Sequence, residues 1–224
     1  PVFELNEDCS GRIAQICNVS CLEIIPPVYT PKKFLMKFSD FVVYGGITRN
    51  VWLKVFAQTH FEKMLVQTTQ VSIKTASTKI QMFLNNRTDD KQSVIDAVIK
   101  DKSGKIVSNK STKLELKNGD TQKDLELPEI KEPHLWSPAS PYLYTIELTL
   151  NINGKQIDKI SDHIGYRWYE FKEHGAFYLN GERLLLRGTH RHEELSGYGN
   201  ALPDSIHRND IRMIREMGAN FVRL

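Results

Sequence analysis

The sequence predicts a mainly β protein in which a sandwich of short strands is followed by one strand–helix–strand unit. Two observations carry this prediction. Between residues 61 and 167, about seven short alternating runs follow one another within about 100 residues, which is the spacing of an immunoglobulin-like sandwich. After residue 167 the pattern changes to apolar runs separated by one helical stretch.

The composition is that of an ordinary globular protein. The 224 residues are 40% hydrophobic and 25% charged, with a formal net charge of +3. This balance offers no basic stripe for nucleic acid and no polybasic membrane anchor. Since there is also no apolar run of about 18 residues, we expect neither nucleic acid nor a membrane as a partner.

The chain ends and the cysteines leave the compartment open. The chain begins at Pro1 without a signal segment, so a signal was removed or the chain begins inside a longer protein. Cys9, Cys17 and Cys21 are odd in number, and one pair could form a disulfide in an oxidising compartment, but the pairing is not decided. No fourth ligand completes a metal site with them, and no cofactor is evident.

Residues 1–60 are expected to form strands and loops. Val51, Leu53 and Val55 alternate with other residues, which is typical of a strand with one packed face. Gly45-Gly46 indicates a turn before that run.

Residues 61–167 carry the sandwich signals. Five of the runs are 65–73, 79–85, 94–100, 112–116 and 145–152. Asn153-Gly154 strongly predicts a two-residue hairpin, and residues 102–105 form a candidate turn. The buried cysteine pair of true immunoglobulin domains is absent, so the prediction concerns the architecture alone. We expect Trp136 to be buried in this core.

Residues 168–224 predict one βαβ unit. Asn180-Gly181 indicates a hairpin, and the apolar residues 184–186 suggest a strand buried on both faces. A helix should open at Pro203-Asp204 and end at Gly218, before a second strand at 221–224. A lone βαβ unit cannot bury both faces of its sheet, so we expect the chain to stop inside a larger α/β domain.

Four segments of the chain resemble glycoside hydrolase family 2 and occur in the family's order. Residues 40–51 are similar to the end of its N-terminal jelly-roll domain. Leu135-Trp-Ser-Pro138 with Pro141-Tyr-Leu-Tyr144, and then Gly165-Tyr-Arg-Trp168, resemble the later part of its immunoglobulin-like domain. Phe177-Tyr-Leu-Asn-Gly181, Arg187-Gly-Thr-His-Arg-His-Glu193 and Gly218-Ala-Asn-Phe-Val-Arg223 are similar to the opening of its (β/α)8 barrel.

The resemblance implies three domains and an enzyme. Residues 1–60 would be the end of the jelly roll, 61–167 the sandwich and 168–224 the start of the barrel. Family members hydrolyse β-glycosides with retention, using two Glu residues on later barrel strands. The full-length protein is therefore expected to be active and this chain alone inactive. The segment from Gly188 to Glu193 most resembles bacterial β-galactosidases, with β-glucuronidase and β-mannosidase as alternatives in the same family.

The resemblance also implies three substrate-binding residues. His192 matches a histidine at the end of the first barrel strand, where barrel active sites are built. Arg223 matches an arginine near the nucleophile, whose guanidinium would hold a carboxylate ionised. Asp40 matches a jelly-roll aspartate that accepts hydrogen bonds from sugar hydroxyls.

Each candidate has a plainer interpretation. His192 could be a structural loop histidine, Arg223 an ion-paired strand end, and Asp40 an aspartate that initiates a turn. The motif favours the functional interpretation in each case. His190 stands where many family members carry Asn, and His190 with His192 could form a metal pair, but no third ligand lies near them in the sequence.

Other candidates are weaker. Glu193-Glu194 is expected to be a solvated loop pair, and Trp136 and Trp168 are expected in the core rather than under a sugar.

The expected partner is an oligosaccharide or glycoside substrate. A divalent or monovalent cation in the full enzyme and a homo-oligomer both stay open. The competing hypothesis is a non-catalytic carbohydrate-binding or adhesion module, since residues 61–167 alone would suit it. Barrel strands carrying two Glu residues further along the protein would favour the enzyme.

Overall fold

The computed structural model describes residues 49, 51, 54–89 and 92–224. Asp40, the three cysteines and Gly45-Gly46 lie outside the described residues. The chain divides into two compact units. One contains residues 54–188 and 219–221 of the described chain, and the other contains 189–218 and 222–224 together with Arg49 and Val51.

Eight strands of the first unit build a β-sandwich. They are β1 (Thr59–Thr69), β2 (Thr75–Asn86), β3 (Gln92–Lys100), β4 (Ile106–Glu115), β5 (Gly119–Glu126), β6 (Ile130–Lys131), β7 (Tyr144–Ile152) and β8 (Lys155–Ile164). One sheet has the order β1-β2-β5, with β6 also paired to β2, and the other has the order β4-β3-β7-β8. Every registered pair is antiparallel. The predicted fold class is confirmed, and the described part of 61–167 contains no helix.

The core follows from strict alternation along the central strands. In β2, β3 and β7 every second side chain is buried, because successive side chains point to opposite faces of a sheet. Nine of the resulting core residues are at most 1% exposed: Ile80, Met82, Leu84, Ile95, Ala97, Ile99, Ile146, Leu148 and Leu150.

Two polar contacts tie the sandwich together. The register of β1 shifts between Phe61 and Lys63, and there the backbone N–H of Phe61 donates to Asp158 Oδ2 on β8 at 2.8 Å. The fully buried Tyr166 places its hydroxyl 2.5 Å from Thr78 Oγ1. Burial raises the pKa of Tyr166 to about 12, although the hydrogen bond to Thr78 opposes that shift.

The two predicted Asn-Gly hairpin turns are confirmed. Asn153 and Gly154 both have positive φ angles, 52° and 75°, which the tight turn between β7 and β8 requires. Asn180 and Gly181 repeat this conformation between two short strands, β10 (Phe177–Leu179) and β11 (Glu182–Arg183). A further short strand, β9 (Tyr169–Phe171), pairs with β10.

Four expectations for this unit were wrong. Trp168, which was expected in the core, is half-buried. Trp136 is half-buried rather than buried, because it lies beside an apolar groove and its ring is covered by the guanidinium of Arg167 at 4.5 Å. Residues 54–57 form no strand, and Val55 is 83% exposed. Residues 184–187 also form no strand, and Leu185 and Leu186 are 64% and 40% exposed.

The βαβ unit consists of β12 (Gly188–His190), α1 (Asp204–Glu216) and β13 (Phe221–Arg223). The helix follows Pro203 and ends before Gly218, which has a φ of 89° and donates its N–H to the carbonyl of Arg215. No residue of α1 is buried, although its apolar residues recur at helical spacing. Pro203 and Gly218 therefore mark the helix as the sequence predicted.

Candidate functional site

Strands β12 and β13 are neighbours in one sheet and run parallel. The N–H of Asn220 donates to Arg187 O at 2.9 Å, and the N–H of Arg191 donates to Arg223 O at 3.0 Å. Residue numbers rise together along both strands, which is the parallel pattern. The carboxyl ends of the two strands therefore lie at the same edge.

The side chain of Asn220 shapes the start of β12. Its Oδ1 accepts from the Arg187 N–H at 2.8 Å, and its Nδ2 donates to Leu185 O at 2.9 Å. The amide thus satisfies backbone groups in a stretch that has no regular strand partner of its own.

His192 and Arg223 both belong to this shared edge. Arg223 is the last residue of β13, and His192 follows β12 by two residues. Both residues are exposed. The ring of His192 stands perpendicular to that of His190, with the centroids 5.7 Å apart. An imidazole and a guanidinium so placed can offer hydrogen bonds to a bound hydroxyl or carboxylate.

A charged network surrounds the residue before His192. The side chain of Arg191 is 8% exposed, and its Nε and Nη2 donate to Asp210 Oδ2 on α1 at 2.9 and 2.5 Å. Its Nη1 lies 3.5 Å from Glu193 Oε1. The other oxygen of Glu193 pairs with Nη2 of Arg49, whose Nη1 donates to the carbonyl of Asn200. We call Arg49, Glu193, Arg191 and Asp210 the charge relay.

The charge relay corrects one expectation and adds residues that the sequence did not single out. Glu193 is half-buried between two arginines rather than a solvated loop residue. Arg191 and Asp210 are 19 residues apart, and Arg49 and Glu193 are 144 apart, so no local pattern joins them. An arginine between two histidines was the available signal for Arg191.

The two carboxylates of the charge relay do not resemble a hydrolytic pair. Glu193 and Asp210 are both engaged by the guanidinium of Arg191. Retaining glycoside hydrolysis requires one carboxylate that attacks and one carboxylic acid that donates a proton, about 5 Å apart. The carboxylates of Glu193 and Asp210 are therefore ion-paired to Arg191 and are not arranged as a hydrolytic pair.

The remaining site expectations have separate outcomes. Asp40 lies outside the described residues, so its substrate-binding role stays a prediction. Within 49, 51, 54–89 and 92–224, no group of three or more His, Cys, Asp or Glu residues could hold a metal ion. In the same part of the chain, no helix has the length and apolar character needed to cross a membrane.

Known protein families match most of the described chain. The family described as "Glycosyl hydrolases family 2" matches residues 59–167, and "Glycosyl hydrolases family 2, TIM barrel domain" matches residues 170–224. The chain belongs to glycosyl hydrolases family 2. Its βαβ unit is thus the start of a barrel, and the edge that carries His192 and Arg223 is the edge at which barrel enzymes build active sites.

Relatives of this family 2 chain include enzymes with two different names. It is 41% identical over 196 residues to a protein of Formosa agariphila provisionally named a β-glucuronidase, covering 88% of this chain and 23% of that protein. It is 34% identical to a β-glucuronidase of Bacteroides fragilis, covering 83% of this chain and 28% of the relative. It is 32% identical to a β-galactosidase of Thermoanaerobacter pseudethanolicus, covering 82% and 24%.

The fold has a close counterpart among solved structures. A β-glucuronidase of Bacteroides uniformis superposes with a TM-score of 0.81 at 30% identity, covering 87% of this chain and 25% of that one. The chain thus spans about a quarter of the length of the relatives it matches.

Proposed function

We propose that the full-length protein is a retaining β-glycosidase, with His192 and Arg223 in its sugar site. The observation that carries this proposal is the position of a histidine and an arginine at the carboxyl ends of neighbouring parallel strands that open a barrel. Family resemblance assigns the nucleophile and the acid/base to two Glu residues on later strands. Hydrolysis then proceeds by double displacement through a glycosyl-enzyme intermediate.

Each proposed residue has a distinct task. His192 donates a hydrogen bond to a sugar hydroxyl. This hydrogen bond strengthens as charge develops in the transition state. Arg223 keeps the nucleophilic carboxylate ionised through its fixed positive charge. Asp40 accepts a hydrogen bond from a sugar hydroxyl. It belongs to residues 1–60, which are proposed to be the end of a jelly-roll domain. Residues 61–167 and 168–224 are the proposed sandwich and barrel domains that follow.

The sugar is proposed from two observations that point to different substrates. The form of the segment from Gly188 to Glu193 favours a terminal β-D-galactose. The names of relatives from Bacteroides fragilis and Bacteroides uniformis favour β-D-glucuronic acid. Glucuronic acid differs from galactose in its C6 carboxylate and in its configuration at C4, and the carboxylate requires a cationic partner that galactose does not need.

A substrate panel tests the proposal. The full-length protein is assayed on 4-nitrophenyl β-galactoside, β-glucuronide and β-mannoside, with the anomeric configuration of the first product followed by NMR. Turnover of one of these with a β-configured product supports the proposal. Binding of sugars without turnover of any substrate would contradict it and favour a non-catalytic binding module.

Two further properties are tested on the same preparation. A cation requirement in the full enzyme predicts that dialysis against EDTA lowers activity and that a defined metal restores it. Light scattering at several protein concentrations measures whether the protein forms a homo-oligomer.

A further inference from the structure

The charge relay includes the two residues on either side of His192. Arg191 precedes His192 and Glu193 follows it, and each is bound by a different part of the chain. Arg191 is bound through its backbone N–H to Arg223 O on β13 and through its guanidinium to Asp210 on α1. Glu193 is bound to Arg49, which lies about 140 residues earlier in the chain. His192 therefore sits between two anchored residues.

The burial of Arg191 distinguishes this arrangement from an ordinary surface ion pair. Its side chain is 8% exposed, whereas the partners in the Arg212–Glu216 pair on α1 are 59% and 60% exposed. A guanidinium removed from water requires partners for its donors, and here three of its nitrogens contact carboxylate oxygens. Since an unpaired buried arginine is costly, the geometry around it tolerates little change.

The charge relay also alternates in sign. Arg49, Glu193, Arg191 and Asp210 follow one another as positive, negative, positive and negative, so each interior charge lies between two opposite charges. The network connects a residue of the early part of the chain, the loop after β12 and the barrel's first helix. All four belong to one compact unit. A displacement of any member is therefore transmitted to the loop that presents the imidazole.

We propose that Arg49, Glu193, Arg191 and Asp210 are positioning residues that fix the imidazole of His192 for the transition state. This proposal rests on the proposed function of His192 in the sugar site. None of the four is required to contact the substrate. Their effect passes through the backbone on either side of His192, so it depends on geometry as well as charge.

Kinetics of full-length variants test the proposal. Asp210→Asn and Glu193→Gln are expected to lower kcat/KM by on the order of 10- to 100-fold, mainly through kcat, because a misplacement of about 1 Å is enough for such a loss. Asp210→Glu should restore part of the activity. Arg191→Lys should not, since a single ammonium cannot hold Asp210 Oδ2 through two donors and contact Glu193 as well.

A matched control separates positioning from general loss of an ion pair. Glu216→Gln removes the Arg212–Glu216 pair, which lies on the same helix outside the charge relay. This variant should keep the kcat/KM of the wild type. An equal loss of activity in Glu216→Gln and Asp210→Asn would overturn the proposal.

A double-mutant cycle with His192→Ala supplies a readout that a purely structural role would not change. Once His192 is removed, Glu193→Gln and Asp210→Asn should cost little further activity. If each variant reduced kcat/KM by the same factor with and without His192, the four residues would act independently of it and the proposal would be wrong.

Crystal structures of the wild type and Asp210→Asn give a test that does not depend on turnover. The imidazole of His192 is expected to shift by about 1 Å or to lose its single position. An unchanged imidazole in Asp210→Asn overturns this proposal, whatever the activity. A wild-type protein that is inactive on every β-glycoside instead overturns the proposed function, so the two failures are distinguishable.

Discussion

His192 is exposed, whereas the side chain of its neighbour Arg191 is 8% exposed. The exposed ring of His192 can contact a ligand, whereas the buried guanidinium of Arg191 holds the neighbouring backbone. Two adjacent residues of one short loop therefore have different tasks. Tyr166, in contrast, is fully buried, and its hydroxyl is hydrogen-bonded to the buried Thr78. Single substitutions can therefore affect function and stability independently.

His192→Ala in the full-length protein is expected to lower kcat/KM by roughly a hundredfold or more, because a hydrogen bond that strengthens in the transition state can contribute about 2–4 kcal/mol. Its melting temperature should change little, since the side chain is exposed. Michaelis kinetics and thermal melts in parallel check this. Near-normal kcat/KM with a lowered melting temperature would contradict the site assignment.

Two related variants should distinguish an effect on substrate binding from an effect on turnover. Arg223→Ala is expected to behave like His192→Ala, because its proposed role is to keep the nucleophile ionised. Asp40→Ala is expected to raise KM more than it lowers kcat, because its proposed role is to bind the sugar without taking part in the chemistry. The same kinetic assay compares them, and a change in kcat alone for Asp40→Ala would be inconsistent with its proposed role.

Tyr166→Phe is expected to destabilise the sandwich by about 1–2 kcal/mol at pH 8, because Thr78 is 3% exposed and loses its hydrogen-bond partner. The folded pKa of Tyr166 is about 12, above the usual value of 10.0. The stability linked to this raised pKa is complete below pH 10 and is lost as the pH rises towards 12, because the unfolded chain releases the proton first.

The wild type should therefore lose more stability than Tyr166→Phe between pH 8 and pH 11. Urea unfolding at the two pH values measures this difference. An identical loss in both proteins would show that Tyr166 does not contribute to the alkaline unfolding.

The turns and helix ends were predictable from the sequence where a local residue type favours the required backbone conformation. Asn153-Gly154 has the residue types that positive φ angles demand, and Pro203 and Gly218 flank the helix for similarly local reasons. Strand β5 escaped prediction because its residues are almost all polar and only Leu125 of its side chains is buried. It is a strand because β2 supplies its hydrogen-bond partners, and a partner distant in sequence leaves no local pattern.

Tertiary contacts also explain why the burial of one residue was predicted wrongly and why the charge relay was not predicted. Trp136 was expected in the core because it lies in a segment that resembles the family's sandwich domain, but Arg167 covers its ring beside an open groove. His192 and Arg223 could be named through family resemblance, whereas the charge relay joins residues too far apart in sequence for any motif to show.

Gly154→Ala should destabilise the sandwich by about 1 kcal/mol or more, because an alanine at a φ of 75° is strained. Open space surrounds this position, so the cost comes from the backbone rather than from a clash. Thermal melts measure the effect, with Lys155→Ala at the exposed next residue as the control. Equal melting temperatures for the two variants would contradict the turn assignment.

Across residues 49, 51, 54–89 and 92–224, which the structure describes, buried apolar residues are unevenly distributed. The main core cluster is drawn from residues between Phe61 and Tyr166. Helix α1 has no buried residue, and Phe221 and Leu224 are 53% and 74% exposed. Local stability should follow this distribution, because buried apolar contacts oppose local opening.

Limited proteolysis of the 224-residue chain is therefore expected to leave a resistant fragment spanning roughly residues 59–166 and to digest residues 189–224 first. Mass spectrometry identifies the fragment. The variant Ile146→Asp, which places a charge in the core, should remove the resistance. Equal resistance of both regions would mean that stability does not follow the core.

The edges of the sandwich have a consequence for how copies of this protein can meet. The outer strands are β1 and β5 in one sheet and β4 and β8 in the other. Each carries lysine within its length: Lys63, Lys123, Lys110 with Lys113, and Lys159. A second copy that extended either sheet would have to pack a strand against these charged side chains and, at β1, against an irregular register. These edges therefore disfavour fibre-like growth, and stable assembly of this protein is expected to use surfaces other than its strand edges.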